Sequence, residues 1–229
     1  MAVIYPLDFP SNLGISNFRM DLRVAVVRSE SPFSFVDQVV RWSGEVWQIE
    51  VTLPNMFRDD AEEFNAFLLK LRGSYGTFLM GDPNAVNPRG SWGGTPVVDG
   101  ADQMGDTLNI KGLTPSVNNI GRVGDYIQIG TGQNARLHKL LDNVNSNSDG
   151  EASLTIAPNL RYSPLDEAAI VTQNARGLFR LNENINGFSI NNNSVYGITF
   201  GATETIGISS GYTGNYLVDP EEDVLVEPA

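Results

Sequence analysis

The spacing of the apolar residues changes once between residues 46 and 73, and this change constrains the fold more than any other feature. Apolar residues first alternate with polar ones, as in a strand with one buried face: Trp47, Ile49, Val51 and Leu53. After Pro54 they recur at three- and four-residue spacing, which is typical of one helical face. The sequence therefore predicts a half-buried strand followed by one amphipathic helix that packs against a sheet.

Both ends of this helix carry sequence signals. Asp59 is expected to cap the first turn, with Glu62 three residues later as in a capping box. Gly73 can take the left-handed conformation that ends many helices. These signals predict a helix over residues 59–72.

The rest of the chain has the pattern of short strands and turns. A Gly-, Pro- and Asn-rich segment at residues 81–94 predicts a linker at a domain boundary. Residues 95–172 have the regular turn spacing of a small sandwich or barrel. Residues 178–181 and 185–190 flank Asn186-Gly187, the pattern of a tight hairpin, and other strands are predicted at 22–27, 36–42, 75–80 and 196–200. The fold class is therefore mainly β.

Composition limits the partners and the chemistry. The net charge of −12 provides no broad basic surface, so direct binding to nucleic acid or to an anionic membrane is not expected. No apolar segment approaches the length of a membrane helix, and the N-terminus lacks the pattern of a secretion signal. The sequence contains no cysteine, which excludes disulfides, thiolate metal sites and cysteine nucleophiles.

His138 is the one histidine of the sequence. It is expected at a surface or half-buried strand position, with Lys139 beside it disfavouring the protonated form. Gly130, Gly132 and Ala135 match the spacing of a dinucleotide fingerprint, but the turn-rich residues that follow favour a β-hairpin turn instead. No cofactor is therefore expected.

Paired carboxylates are explained by their local positions. Asp59-Asp60 and Glu62-Glu63 fit a helix start and a solvated helix face, and Glu221-Glu222 fits an acidic tail. The spacing of three further acids resembles a calcium loop but is better explained by turns: Asp99, Asp102 and Asp106. No catalytic or metal-binding residue is predicted, and the chain is not expected to be an enzyme.

The three tryptophans could stack on a sugar ring. Trp47 is expected in the core by its strand phase. Trp92, in the Gly-rich segment, is the only tryptophan expected to be free enough to contact a partner, so Trp42 is not expected to do so. A packing anchor is nevertheless the favoured role of Trp92.

Several motifs, in order, resemble those of the distal tail proteins of long-tailed bacteriophages. They are W-x-I-x-V-x-L-P-x-M at residues 47–56, F-L-x-x-L-x-G at 67–73 and G-T-F-x-x-G-D-P at 76–83. PVVDG, GDTL and LTIAPNLR, within residues 96–161, resemble an inserted β module of such tail-tip proteins. The resemblance covers about residues 20–181.

The resemblance implies a β-sandwich ring-forming domain with one helix, made of residues 1–88 and 175–229, and an inserted β module at 89–174. It implies a homo-oligomeric ring, expected to be a hexamer, between the tail-tube protein and the hub proteins of the tail tip. The protein would be made in the host cytoplasm and reside in the virion. Carbohydrate-binding host recognition is the alternative function, and a tail-associated hydrolase is a weaker one.

Overall fold

The computed structural model describes residues 3–10, 14–185, 187, 189–190 and 196–206. These residues contain one α-helix, α1, at Arg58–Leu71. The described strands, in chain order, are β1 (Leu7–Asp8), β2 (Asn17–Glu30), β3 (Asp37–Thr52), β4 (Phe78–Met80), β5 (Gly94–Val98), β6 (Gly105–Leu113), β7 (Tyr126–Ile129), β8 (Arg136–Leu140), β9 (Ala152–Leu160), β10 (Ile170–Val171), β11 (Gly177–Leu181), β12 (Ser189–Ile190), β13 (Tyr196–Gly197) and β14 (Thr199–Glu204).

Six strands form the first sheet in the order β1-β4-β11-β14-β3-β2. The β1–β4 pair is parallel and the other pairs are antiparallel. The apolar face of β3 is buried as its alternation predicts. Helix α1 packs on this face through a cluster of aromatic rings, in which Phe64 lies 5.7 Å from Phe200 and Phe67 lies 5.7 Å from Phe78. The predicted packing of the helix on a sheet is confirmed.

The ends of α1 differ in detail from the prediction. The residue before the first turn is Phe57, in extended conformation, and no side chain caps the helix, so the predicted capping box of Asp59 and Glu62 is wrong. Asp59 still lies in the first turn, where its negative charge interacts favourably with the positive end of the helix dipole. At the other end both Arg72 and Gly73 are left-handed, with φ of 53° and 68°.

The second sheet has the order β10-β7-β8-β9-β6-β5. Its two edge strands approach each other, because a bridge joins Val97 to Ala169 and the amide of Val98 donates to Ala168 O at 3.0 Å. The sheet is therefore a nearly closed barrel, named the barrel below. The predicted class is confirmed: the fold is mainly β, with one helix and a second, barrel-like sheet.

The strands of the first sheet come from residues 7–80 and 177–204, on either side of those of the barrel. The two parts share packing, since Tyr126 and Leu137 of the barrel lie in the core of the first sheet. Trp47 Nε1 donates to Leu137 O at 2.9 Å. The domain limits at residues 88 and 175 stay a prediction.

Residues 81–94 are fixed to the barrel rather than extended between two parts. Asp125 accepts hydrogen bonds from the amides of Arg89, Gly90 and Arg122 and from Trp92 Nε1, at 2.7–3.0 Å. Burial raises the pKa of Asp125, but these hydrogen bonds outweigh it and the pKa lies below its usual value. Residues 89–92, within the segment predicted as a linker, are therefore packed on the barrel.

The predicted hairpin between residues 178–181 and 185–190 is wrong. Strand β11 pairs with β4 and β14, whereas β12 pairs with β13. Asn186 of the predicted turn lies outside the described residues, as does the chain after residue 206.

Candidate assembly surface

Strands β2 and β3 form a long antiparallel hairpin whose outer half, residues 23–44, leaves the body of the protein; we name it the arm. Residues 22–27 and 36–42 were both predicted as strands, and the second is continuous with the strand that carries Trp47. Near the sheet, Phe18, Met20 and Leu22 of β2 are half-buried against the core. Beyond them every residue of the two strands is exposed as far as Gly44.

The arm is apolar on both of its faces. Nine large apolar side chains are exposed there: Val24, Val26, Val27, Phe33, Phe35, Val36, Val39, Val40 and Trp42. Phe33 at the tip is 95% exposed. Successive strand residues point to opposite faces, so neighbours such as Val26 and Val27 or Val39 and Val40 cannot share one buried side. A monomer rarely exposes a contiguous apolar surface of this kind, which marks an interaction site.

Local interactions shape the arm without burying it. The pairing register shifts between Val24 and Val26, and such a bulge bends the strand away from its sheet. Arg28 forms ion pairs of 2.8 Å with both Glu30 and Asp37 near the turn. These pairs are solvated, so each contributes no more than about 1 kcal/mol. The arm also carries an open edge, because β2 is the last strand of its sheet.

A buried polar network, named the lock, holds the base of the arm against the barrel. Arg161 donates to both carboxylate oxygens of Glu204 at 3.0 Å, and its guanidinium also donates to Glu45 O. Glu45 Oε2 accepts from the amide of Asn159 at 2.9 Å, while Arg41 donates to its other oxygen. Glu204 is fully buried and Arg161 is 7% exposed in its side chain. The arm is therefore oriented by directional bonds at its base.

His138 lies on β8 and is 2% exposed, so the predicted surface or half-buried position is wrong. Its Nδ1 is 2.6 Å from Pro158 O, which can only accept, so Nδ1 carries a proton. Burial lowers the pKa of His138 to about 4, the Pro158 hydrogen bond opposing this and the charges of Arg161 and Arg136 adding to it. These two arginines, rather than Lys139, disfavour the protonated ring.

The glycine-rich sequence has the predicted hairpin structure. Gly130 and Gly132 have positive φ, and residues 130–135 connect β7 to the antiparallel β8 through a short 3₁₀ turn, Gly132–Asn134. A dinucleotide fingerprint would need a crossover helix after the first strand. Ala135 packs with Leu79 and Leu178 instead.

The acidic residues singled out above do not converge. Asp59, Asp60 and Glu62 are exposed on α1, and Glu221-Glu222 lies outside the described residues. Asp99 lies 3.5 Å from Lys111, Asp102 lies with positive φ in the same β5–β6 connection, and Asp106 lies at the start of β6. In the part of the chain that the structure describes, no three His, Cys, Asp or Glu side chains are placed to share a metal ion.

The structure agrees with the prediction for two tryptophans and differs for the third, Trp42. Trp47 is buried as expected. Trp92 is also buried and donates to Asp125, which confirms the favoured role of Trp92 as a packing anchor. Trp42, on the arm, is 53% exposed and is the tryptophan that is free to contact a partner. One sequence pattern could have indicated this surface. Between residues 22 and 42, apolar residues occupy both alternating sets of strand positions, which predicts two contact faces rather than one.

No protein-family model matches the chain, and the comparison with curated proteins finds no match. Among the described helices, none has the length and apolar character needed to span a membrane.

Proposed function

We propose that this chain is a structural component of the distal tip of a long-tailed phage tail, where copies close into a ring. The arm is the observation that carries the proposal, since its apolar faces lack a covering partner within the described chain. The resemblance of the ordered motifs within residues 47–83 and 96–161 to those of distal tail proteins supports the proposed family and place in the particle. Expected partners are further copies of the chain, the tail-tube protein and the hub proteins.

The arm would work by lying across the neighbouring subunit. Full burial of a valine or phenylalanine side chain is worth about 1.5–3 kcal/mol, and eight such side chains are available on the arm beside Trp42. Heterologous contacts that close into a ring also cover the open edge of β2 in every copy. We expect each subunit interface to bury more than about 1,000 Å², as specific contacts do, and the ring to contain six copies.

The test replaces arm residues without disturbing the hairpin. Val27 and Val40 face each other across it, so the double variant Val27→Lys/Val40→Glu removes apolar surface but supplies a favourable cross-strand charge pair. Val86→Lys/Val123→Glu is the matched control, because both valines are 44% exposed and the net charge change is the same. Mass photometry and negative-stain averaging measure the assembly.

The parent and the control are expected to form six-fold rings, and the arm variant to remain monomeric. Assembly of the arm variant at the parent's concentration would show that the arm is not the interface. A parent chain that stays monomeric, and that does not bind purified tail tubes, would refute the ring.

Carbohydrate binding is a second candidate, favoured by the surroundings of Trp42. A shallow recess of about 310 Å³ places this exposed ring beside the polar residues Arg41, Ser43, Asp106 and Asn159. Flat apolar rings with polar neighbours suit sugars. Loss of glycan-array binding in Trp42→Ala, with rings retained, would support this function, whereas no glycan binding by the parent would remove it.

A further inference from the structure

The barrel contains a cavity that the assembly role does not use. Its volume is about 510 Å³, within the range of small-molecule sites. One wall is the hairpin of β7 and β8, and the other is the chain from residue 160 to residue 169. Ile129, Leu160 and Leu165 give it apolar surface. Its charged or titratable lining residues are Arg136, His138, Arg161 and Tyr162. Although the net charge of the chain is −12, no carboxylate among the described residues lines this cavity.

Arg136 supplies the positive charge of the cavity. Its Nη1 donates to the carbonyls of Gln133 and Ala135, at 3.1 and 2.9 Å, which fixes the guanidinium. Within the described chain Arg136 forms no ion pair, whereas Arg161 is held by two bonds to Glu204. Burial lowers the pKa of Arg136, with the charge of Glu204 opposing this. A desolvated cation without a paired carboxylate favours an anionic ligand.

The other groups restrict the charge of that ligand. Burial keeps the His138 ring neutral at neutral pH, although its hydrogen bond to Pro158 O opposes this, so the ring adds no second charge. Arg161 is already neutralised by Glu204. One cation thus remains for the ligand, which matches a carboxylate better than a phosphate dianion.

We infer that the cavity binds a small amphipathic monocarboxylate, with its carboxylate on Arg136 and its hydrocarbon part against Leu160 and Leu165. The apolar lining receives the hydrocarbon, and the fixed guanidinium receives the charge through charge-assisted hydrogen bonds. This site is independent of ring formation.

The test uses sodium octanoate as the probe and 1-octanol as its uncharged equivalent. Calorimetric titration of the full chain measures affinity. The ring signals of His138, followed by NMR with ¹³C-labelled histidine, report the location, because His138 is the only histidine in the sequence and lines the cavity. This reporter separates binding in the cavity from binding to the apolar arm.

Octanoate is expected to bind one site per chain, at least tenfold more tightly than octanol, and to shift the His138 signals. Arg136→Met should abolish the preference for octanoate, whereas Arg122→Met, which removes an exposed arginine of the barrel, should leave it unchanged. Equal affinities, no saturable binding, or saturation without a change at His138 would overturn the inference. If Arg136→Met does not fold, the octanoate and octanol titrations of the parent chain still decide it.

Discussion

Removing one partner of the lock should destabilise the protein strongly, while removing both should not. Glu204→Leu takes away the carboxylate that holds Arg161, at 3.0 Å from two guanidinium nitrogens and with both side chains buried. A buried charge left without its partner costs about 3–5 kcal/mol. Because Glu204 also accepts from the amide of Trp47 at 3.2 Å, that amide loses its acceptor as well. We expect Glu204→Leu to lower the free energy of unfolding by about 4 kcal/mol.

The double variant Arg161→Met/Glu204→Leu replaces both charges with apolar groups of similar volume. Such a replacement is often neutral, so the remaining loss should come from the Trp47 amide and the bond to Glu45 O, together about 1–2 kcal/mol. The double variant should therefore be more stable than Glu204→Leu by at least about 2 kcal/mol. Adding Arg161→Met to Glu204→Leu should thus restore part of the free energy of unfolding that the single substitution removes.

Urea unfolding followed by tryptophan fluorescence measures these differences, since Trp47 lies beside the lock. Arg19→Met/Asp21→Leu, which removes an exposed ion pair of 2.7 Å, is the matched control and should change stability by less than about 1 kcal/mol. A loss below about 1 kcal/mol in Glu204→Leu, or a double variant as unstable as the sum of the single variants, would refute the reasoning.

Two further predictions concern buried titratable groups. The folded pKa of His138, about 4, lies below its unfolded value of about 6.5, so the unfolded chain binds more protons between these pH values. The free energy of unfolding should therefore fall by roughly 3 kcal/mol as pH drops from 7 to 4. His138→Gln should lack this pH-dependent loss. Parallel pH profiles of the two proteins in urea unfolding would contradict it. Asp125→Asn should lower the free energy of unfolding by about 2 kcal/mol or more at pH 7, because four donors lose a charged acceptor. The exposed control Asp142→Asn should change it little in the same urea assay. Equal effects of the two variants would contradict this prediction.

Features that depend on spacing along the chain could be predicted, and those that depend on distant segments could not. The alternation around Trp47 and the period of α1 report burial directly, and both are confirmed. Asn186-Gly187 is a strong local signal, but β11 finds its partners in β4, about 100 residues earlier, and in β14. Long-range pairing thus overrode the local pattern.

The candidate sites show the same division. His138 is buried and bonds to Pro158, 20 residues later, and the more distant of the two arginines that lower its pKa is Arg161. Nothing next to His138 along the chain indicates these long-range contacts. The Gly- and Pro-rich surroundings of Trp92 do not indicate its partner, which is Asp125, 33 residues later. The charge balance of the cavity likewise depends on Glu204 pairing with Arg161 across 43 residues.

In the proposed assembly, the lock would set the direction of the arm, which apolar packing alone could not do. A hairpin exposed on both faces has no core contact beyond its base, so hydrophobic burial cannot set its direction before a partner arrives. Directional bonds through Glu45 and Arg161 can, because each requires one geometry. An arm held in its bound direction loses less conformational entropy on association. Weakening the lock should therefore weaken assembly even where the subunit stays folded and the apolar surface of the arm is unchanged.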